Sequence, residues 1–150
     1  MPTLVKNRKA TFDYEILEKF EAGVELFGHE VKALRASKGK LEGAHIIIRG
    51  GEAFLMGSSI QPFQPKNTAK DYDPERARKL LLNRKELDTL LGIENSKGLT
   101  LVPISWYTKG RYIKLEFASV RGKKKADKRE TIKERDTKRD IDRIMKSQNR

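Results

Sequence analysis

Cysteine is absent from the 150 residues, and histidine occurs only twice, as His29 and His45. The first absence excludes disulfides, thiolate metal sites and cysteine nucleophiles. The second leaves no pair at a metal-binding spacing, and no metal or cofactor is expected. Long apolar runs are missing too. The longest aliphatic stretches are Ile46-Ile47-Ile48 and Leu80-Leu81-Leu82, far short of the roughly 20 residues that span a bilayer as a helix. The opening residues 1–7 lack the apolar segment of a secretion signal. No nucleophile elbow, P-loop or dinucleotide fingerprint is present, so no catalytic residue is assigned and no enzyme is expected. A cytoplasmic protein with no membrane partner is expected, and a monomer.

What the chain does have is positive charge. Lys and Arg number 33 against 21 Asp and Glu, a net +12. Polyanions therefore head the possible partners. The excess is uneven: residues 1–120 carry +5 and residues 121–150 carry +7. After Val120 the only apolar side chains are Ala126, Ile132, Ile141, Ile144 and Met145. Such a segment cannot bury enough surface to offset its ordering entropy. The chain thus divides into a globular body, 1–120, and a basic tail, 121–150. Glu134 with Lys138 and Asp142 with Lys146 are helix-compatible pairs in that tail. The expectation is a tail disordered alone that becomes helical on a partner.

Strand patterns dominate the body. Residues 45–49 and 52–56 flank Gly50-Gly51, a pair suited to a type I′ turn. A second hairpin joins residues 99–107 to 112–117 through a turn at 108–110, and Pro103 belongs at an edge or a bulge. Residues 12–17 and 24–27 are two further strand candidates. Two short helices are expected, over 30–36 and over 84–92, the second ending at Gly92. The fold class is mainly β: a small closed antiparallel OB-like barrel with two or three short helices and a basic C-terminal tail. A sandwich is the structural alternative.

Few residues invite catalytic readings. Asp71 and Asp73 precede Pro74 with no third acid nearby, which favours a capped turn over a cation site. His29 beside Glu30 has no nucleophile neighbour and reads as a loop or cap residue. The positive signal is cations interleaved with aromatics. Lys6, Arg8 and Lys9 precede Phe12 and Tyr14; Arg76, Arg78 and Lys79 precede the leucine triplet; Trp106, Tyr107, Lys109, Arg111, Tyr112 and Lys114 form a third strip. Cations pair with phosphates and flat rings stack on unpaired bases. Trp106 and Tyr112 can equally be core.

Longer motifs narrow this further. Lys6-Asn7-Arg8-Lys9-Ala10, Phe20-Glu21-Ala22-Gly23, Glu30-Val31-Lys32-Ala33-Leu34-Arg35, Asp73-Pro74-Glu75-Arg76-Ala77-Arg78-Lys79-Leu80-Leu81-Leu82-Asn83, Gly98-Leu99-Thr100-Leu101-Val102-Pro103 and Gly122-Lys123-Lys124-Lys125 follow in order. Together they resemble the small protein B family, bacterial proteins that bind transfer-messenger RNA. The resemblance covers almost the whole chain. It implies an OB-type body that binds the tRNA-like domain of that RNA and delivers it to a stalled 70S ribosome for trans-translation, with elongation factor Tu and alanyl-tRNA synthetase in the same pathway. The tail is implied to enter the decoding centre and the empty mRNA channel, against small-subunit rRNA.

By the same resemblance, RNA-binding positions fall on Asn7, Arg8, Lys9, Glu21, Lys32, Arg35, Arg78, Lys79, Leu81, Lys123 and Lys124. Positions acting on the ribosome fall on Asp127-Lys128-Arg129 and Ile144-Met145-Lys146. Chemically, Asn7 can hydrogen-bond a base or a 2′-hydroxyl. Glu21 can accept from a base amine or orient a neighbouring cation. Leu81 can pack on a base or fill the core. The tail has neither aromatic nor histidine, so its grip should rest on cations and the Ile144-Met145 patch. The competing reading is a ribosomal or other OB-type RNA-binding module without specificity for transfer-messenger RNA.

Overall fold

The computed structural model describes residues 2–64, 66 and 70–122. The tail positions Lys123, Lys124, Asp127, Lys128, Arg129, Ile144, Met145 and Lys146 lie outside the described residues, as does the expectation of a tail that orders on its partner.

The elements run β1 (Thr3–Lys6), α1 (Arg8–Asp13), β2 (Tyr14–Val24), α2 (Gly28–Arg35), β3 (Gly39–Lys40), β4 (His45–Arg49), β5 (Glu52–Met56), β6 (Ser59–Ile60), β7 (Arg78–Leu81), α3 (Arg84–Glu94), β8 (Thr100–Lys109) and β9 (Tyr112–Gly122). Seven strands form one sheet in the order β1-β8-β9-β2-β7-β5-β4, and β3 pairs with β6 separately. Every pairing is antiparallel. The mainly β class holds, but the ring of strands is not closed: β1 and β4 are its two edges. β4 instead packs against β8 across the interior, so side chains rather than a hydrogen-bonded seam complete the core.

Both predicted hairpins form. Gly50 and Gly51 both adopt positive φ, 59° and 76°, and β4 meets β5 in register across them. Gly110 at φ 62° turns β8 into β9. Pro103 sits at a bulge between the pairs Pro103↔Phe117 and Ser105↔Glu116, where its missing N–H leaves no gap in the ladder. β9 continues through Arg121 and Gly122, which pair with Glu15 and Tyr14.

Two expectations need correction. Residues 12–17 and 24–27 are not two strands. Asn7 caps α1, and a single strand, β2, follows from Tyr14 to Val24. A register shift between Ile16 and Glu18 breaks its two-residue period, and Glu18 and Lys19 are exposed there, so the apolar pattern breaks up in sequence. α3 does not stop at Gly92. It runs to Glu94, because the capping box of Asn83 and Glu86 fixes its start and Asn95 ends it. β7 follows a turn in which Asp73 Oδ1 accepts from Glu75 N at 2.9 Å.

The core gathers Leu34 of α2, Leu90 of α3, Leu55, Leu101, Trp106, Leu115 and Phe117. Trp106 and Phe117 are fully buried, and each such side chain stabilises the fold by about 1.5–3 kcal/mol. Glu94 of α3 reaches the outer edge of β4, accepting from Ile48 N and from Arg49 at 2.7 Å. No helix among the described residues is long and apolar enough to cross a membrane.

Candidate functional site

The two faces of the sheet differ in chemistry. On β9, Ile113, Leu115 and Phe117 point into the core, while Tyr112, Lys114 and Glu116 alternate with them on the outside. The pairing places Glu116 beside Glu21, and Lys114 beside Gly23 of β2. Lys114 is also opposite Tyr107 of β8, and Gly23 is opposite Leu81 of β7. Four strands therefore bring Glu21, Gly23, Leu81, Tyr107 and Lys114 to one outer face.

Gly23 matters because of what flanks it. A Cβ there would lie 3.4 Å from Leu81 Cδ1 and 3.7 Å from Lys114 Nζ. The missing side chain lets an apolar group and a cation converge over bare backbone. Leu81 is 51% exposed and Tyr112 70% exposed, a large apolar and a large aromatic group left on the surface. Glu21 accepts from Lys109 Nζ at 3.3 Å. Hydrogen bonding by Tyr107 first, and then Lys109, holds the Glu21 carboxyl below the usual range although burial opposes it. Burial and Glu21 in turn push the Tyr107 hydroxyl well above the usual tyrosine range. Glu21 is thus an ionised acceptor that fixes two donors. Beside it runs a groove of about 710 Å³, lined by Lys6, Thr11, Lys19, Glu21, Ser105 and Tyr107 among others.

The other sequence-assigned residues are distributed differently. Asn7 is buried, at 2% exposure. Its Oδ1 accepts from Ala10 N at 3.2 Å, and its Nδ2 donates to Leu41 O at 3.2 Å and to Pro103 O at 2.8 Å. Its side chain caps α1 and ties that helix to the Pro103 bulge. Arg8 and Lys9 are exposed on α1. Lys32 and Arg35 are exposed on α2, and Arg35 donates to Arg111 O at 3.1 Å. Lys79 pairs with Glu52 at 2.9 Å, which raises its pKa. Trp106 is core, which decides the open alternative for that ring.

Arg78 is fully buried, and so is Glu30. Arg78 Nη2 donates to Glu30 Oε2 at 2.7 Å and Nε to the same oxygen at 3.0 Å. Arg78 Nη1 donates to Ser58 Oγ at 3.1 Å. Arg76 binds Glu30 Oε1 and Oε2. Tyr72 Oη donates to Glu30 Oε2 at 2.9 Å, and Phe27 N donates to Glu30 Oε1 at 2.8 Å. Burial disfavours the charged carboxylate. Arg76, the Phe27 N–H and Arg78 outweigh it and bring its pKa down to about 2. Sequence reading passed over Glu30 as a neighbour of His29. The available signal was its helical spacing with Ala33 and Leu34, which puts an acid in the buried stripe.

Among the described residues, no group of three or more His, Asp or Glu side chains could hold a metal ion. What the outer face offers is binding chemistry: cations for phosphates, and exposed apolar and aromatic groups for bases.

Comparison with known proteins gives a consistent result. The family described as "SmpB protein" matches residues 4–147 of the chain. An "SsrA-binding protein" of Gloeobacter violaceus is 50% identical over 143 residues, covering 95% of this chain and 93% of that protein. One of Gloeothece citriformis, described in the same words, is 47% identical over 143 residues, covering 95% and 92%. A solved structure described as "tmRNA-SmpB: a journey to the center of the bacterial ribosome" aligns with a TM-score of 0.69 at 46% identity, covering 83% of this chain and 87% of that one.

Proposed function

The chain belongs to the SmpB family, and from that premise we propose that it is an RNA-binding adaptor of trans-translation. It binds the tRNA-like domain of transfer-messenger RNA and carries it, with elongation factor Tu, to a stalled ribosome. Its role is non-catalytic and cytoplasmic, and it acts as a monomer. The observation that carries the reading is the convergence of Glu21, Gly23 and Leu81 with Lys109 and Lys114 on one outer face.

Division of labour follows from exposure. Leu81 packs on an unstacked base, and the exposed Tyr112 ring offers another surface for stacking. Lys109 and Lys114 meet phosphates, and Glu21 holds Lys109 in place rather than touching RNA itself. Asn7 and Arg78 act from inside: Asn7 sets α1, from which Arg8 and Lys9 project, and Arg78 anchors the strand that carries Lys79 and Leu81. Lys32 and Arg35 add positive field from α2. Lys123 and Lys124 directly follow Gly122 in the sequence and add positive charge for the RNA. The body is residues 1–120, and β9 carries the sheet into the first two residues of the tail, Arg121 and Gly122. The tail, 121–150, works on the ribosome through Asp127-Lys128-Arg129 and Ile144-Met145-Lys146, in the decoding centre and the empty mRNA channel.

The test is a titration of the full-length protein against transfer-messenger RNA at physiological salt, with an elongator tRNA and a generic hairpin as competitors. Strong preference for transfer-messenger RNA supports the adaptor reading. Equal binding to all three overturns it in favour of a general RNA-binding module.

A further inference from the structure

We infer that Phe27 is a further stacking platform for an unpaired RNA base, just past the end of the strand pair that carries Gly23 and Leu81; the inference rests on the RNA-adaptor reading above. Phe27 lies between β2 and α2, and half of its surface is exposed. The guanidinium of Arg76 lies 4.1 Å from the ring centroid. The His29 and Tyr72 rings sit at 5.7 and 6.5 Å.

The backing of this ring is rigid. Arg76 donates to both oxygens of the buried Glu30, to Ala77 O at 3.3 Å and to Glu25 O at 3.2 Å. A guanidinium held at so many points cannot swing away, so a ring lying on it is ordered before any partner arrives. Pre-ordering removes much of the entropic cost of binding. The cluster is also electropositive, since one carboxylate, Glu30, faces two guanidiniums, Arg76 and Arg78.

The chemistry of the partner follows. Nearly all Arg76 donors are spent inside the protein, so Arg76 has no fork left to clasp a phosphate. What it supports is a flat apolar surface over a cation, which suits the face of a base. An apolar peptide would need a continuous groove. Here Glu25 and Lys79 stand between Phe27 and Leu81, and Glu25 N still bonds to Lys79 O at 3.0 Å. Phe27 is four residues past Gly23 in the chain, at most about 13 Å along a strand. Two separate stacking points, one on the ladder and one just past its end, fit single-stranded RNA better than a protein helix.

The base can come from transfer-messenger RNA or from ribosomal RNA, and two arms separate them. Phe27→Trp keeps a flat ring and adds a reporter, while the native Trp106 is buried and serves as a constant background. Phe27→Leu keeps the apolar bulk and removes the ring. One arm titrates full-length Phe27→Trp with a tRNA-like-domain transcript, and the other with ribosomes free of that RNA. The expected result is quenching of the new tryptophan in one arm. In that same arm Phe27→Leu should bind about tenfold more weakly and Phe27→Trp within about twofold of the wild type. Unquenched tryptophan in both arms, with Phe27→Leu binding as the wild type does, overturns the proposal. So does loss of ribosome rescue with RNA binding intact, which would assign the ring to a protein partner. Failure of the wild type to bind the transcript at all would instead defeat the adaptor reading.

Discussion

Glu30 and Glu21 each hold cations, yet in opposite surroundings. Glu30 is fully buried between two arginines, a tyrosine and a backbone N–H, and Arg78 is buried with it. Glu21 sits on the outer face, where its side chain is 39% exposed and that of Lys109 54%. The first arrangement resists salt, because the charges are out of reach of counterions. The second is screened by salt, and its exposed lysine is open to a phosphate. Acid–base pairing therefore serves architecture in one place and leaves cations available to a polyanion in the other.

The comparison can be broken most severely at Glu30. Glu30→Ala leaves Arg78 buried without its counter-charge and should cost about 3–5 kcal/mol, read from urea unfolding of the full-length protein. A loss under 1 kcal/mol would show that the buried cluster does not hold the fold together. Acid gives the next largest effect. The Glu30 pKa is lowered from 4.5 to about 2, so its contribution is full above pH 4.5 and fades as pH falls towards 2. Unfolding midpoints at pH 7, 4 and 3 should therefore decline in the wild type. The decline should be shallower in Glu30→Gln, and equal declines would contradict the assignment.

On the outer face the effects move from stability to binding. Lys114→Glu should weaken transfer-messenger RNA binding about tenfold and flatten the salt slope by about one. Its unfolding midpoint should stay within about 0.5 kcal/mol of the wild type; a large drop would make Lys114 a structural residue. The smallest effect is expected at Glu21. Glu21→Gln should change stability by less than about 1 kcal/mol, since exposed pairs contribute little. It should weaken RNA binding about threefold, and that loss should vanish when Lys109 is already alanine. An undiminished loss in the Lys109→Ala background would mean that Glu21 touches RNA directly.

Much of this was legible in the sequence for a physical reason. The Gly50-Gly51 turn, the second hairpin, the Pro103 bulge and both longer helices depend on local rules of period and capping, and those rules act within a dozen residues. The error over β2 came from the same source. A bulge interrupts its period between Ile16 and Glu18, its exposed residues Glu15, Glu18, Lys19 and Glu21 carry charge, and α1 precedes it directly, so an 11-residue strand looked like two fragments. The open sheet was not visible either, because closure depends on how β1 and β4 meet at long range. In the candidate site the residue types were readable and the pairings were hidden. Glu21 and Lys109 are 88 residues apart, and Glu30 and Arg78 are 48 apart. Only the registers of β2 with β9, β9 with β8 and β2 with β7 bring these pairs together.

The contact between α3 and β4 has a consequence for self-association. An open sheet exposes strand edges, and an unpaired edge can recruit a strand from another molecule. On β4 the Glu94 carboxylate already occupies the Ile48 amide, and the Arg49 guanidinium takes the Ile48 carbonyl at 2.7 Å. A second chain approaching that edge finds the Ile48 amide and carbonyl occupied and a charged pair in its way. At the other end, β1 offers only four residues, Thr3–Lys6, with a lysine closing it. The sheet can thus remain open while both of its edges discourage pairing with a second copy of the chain.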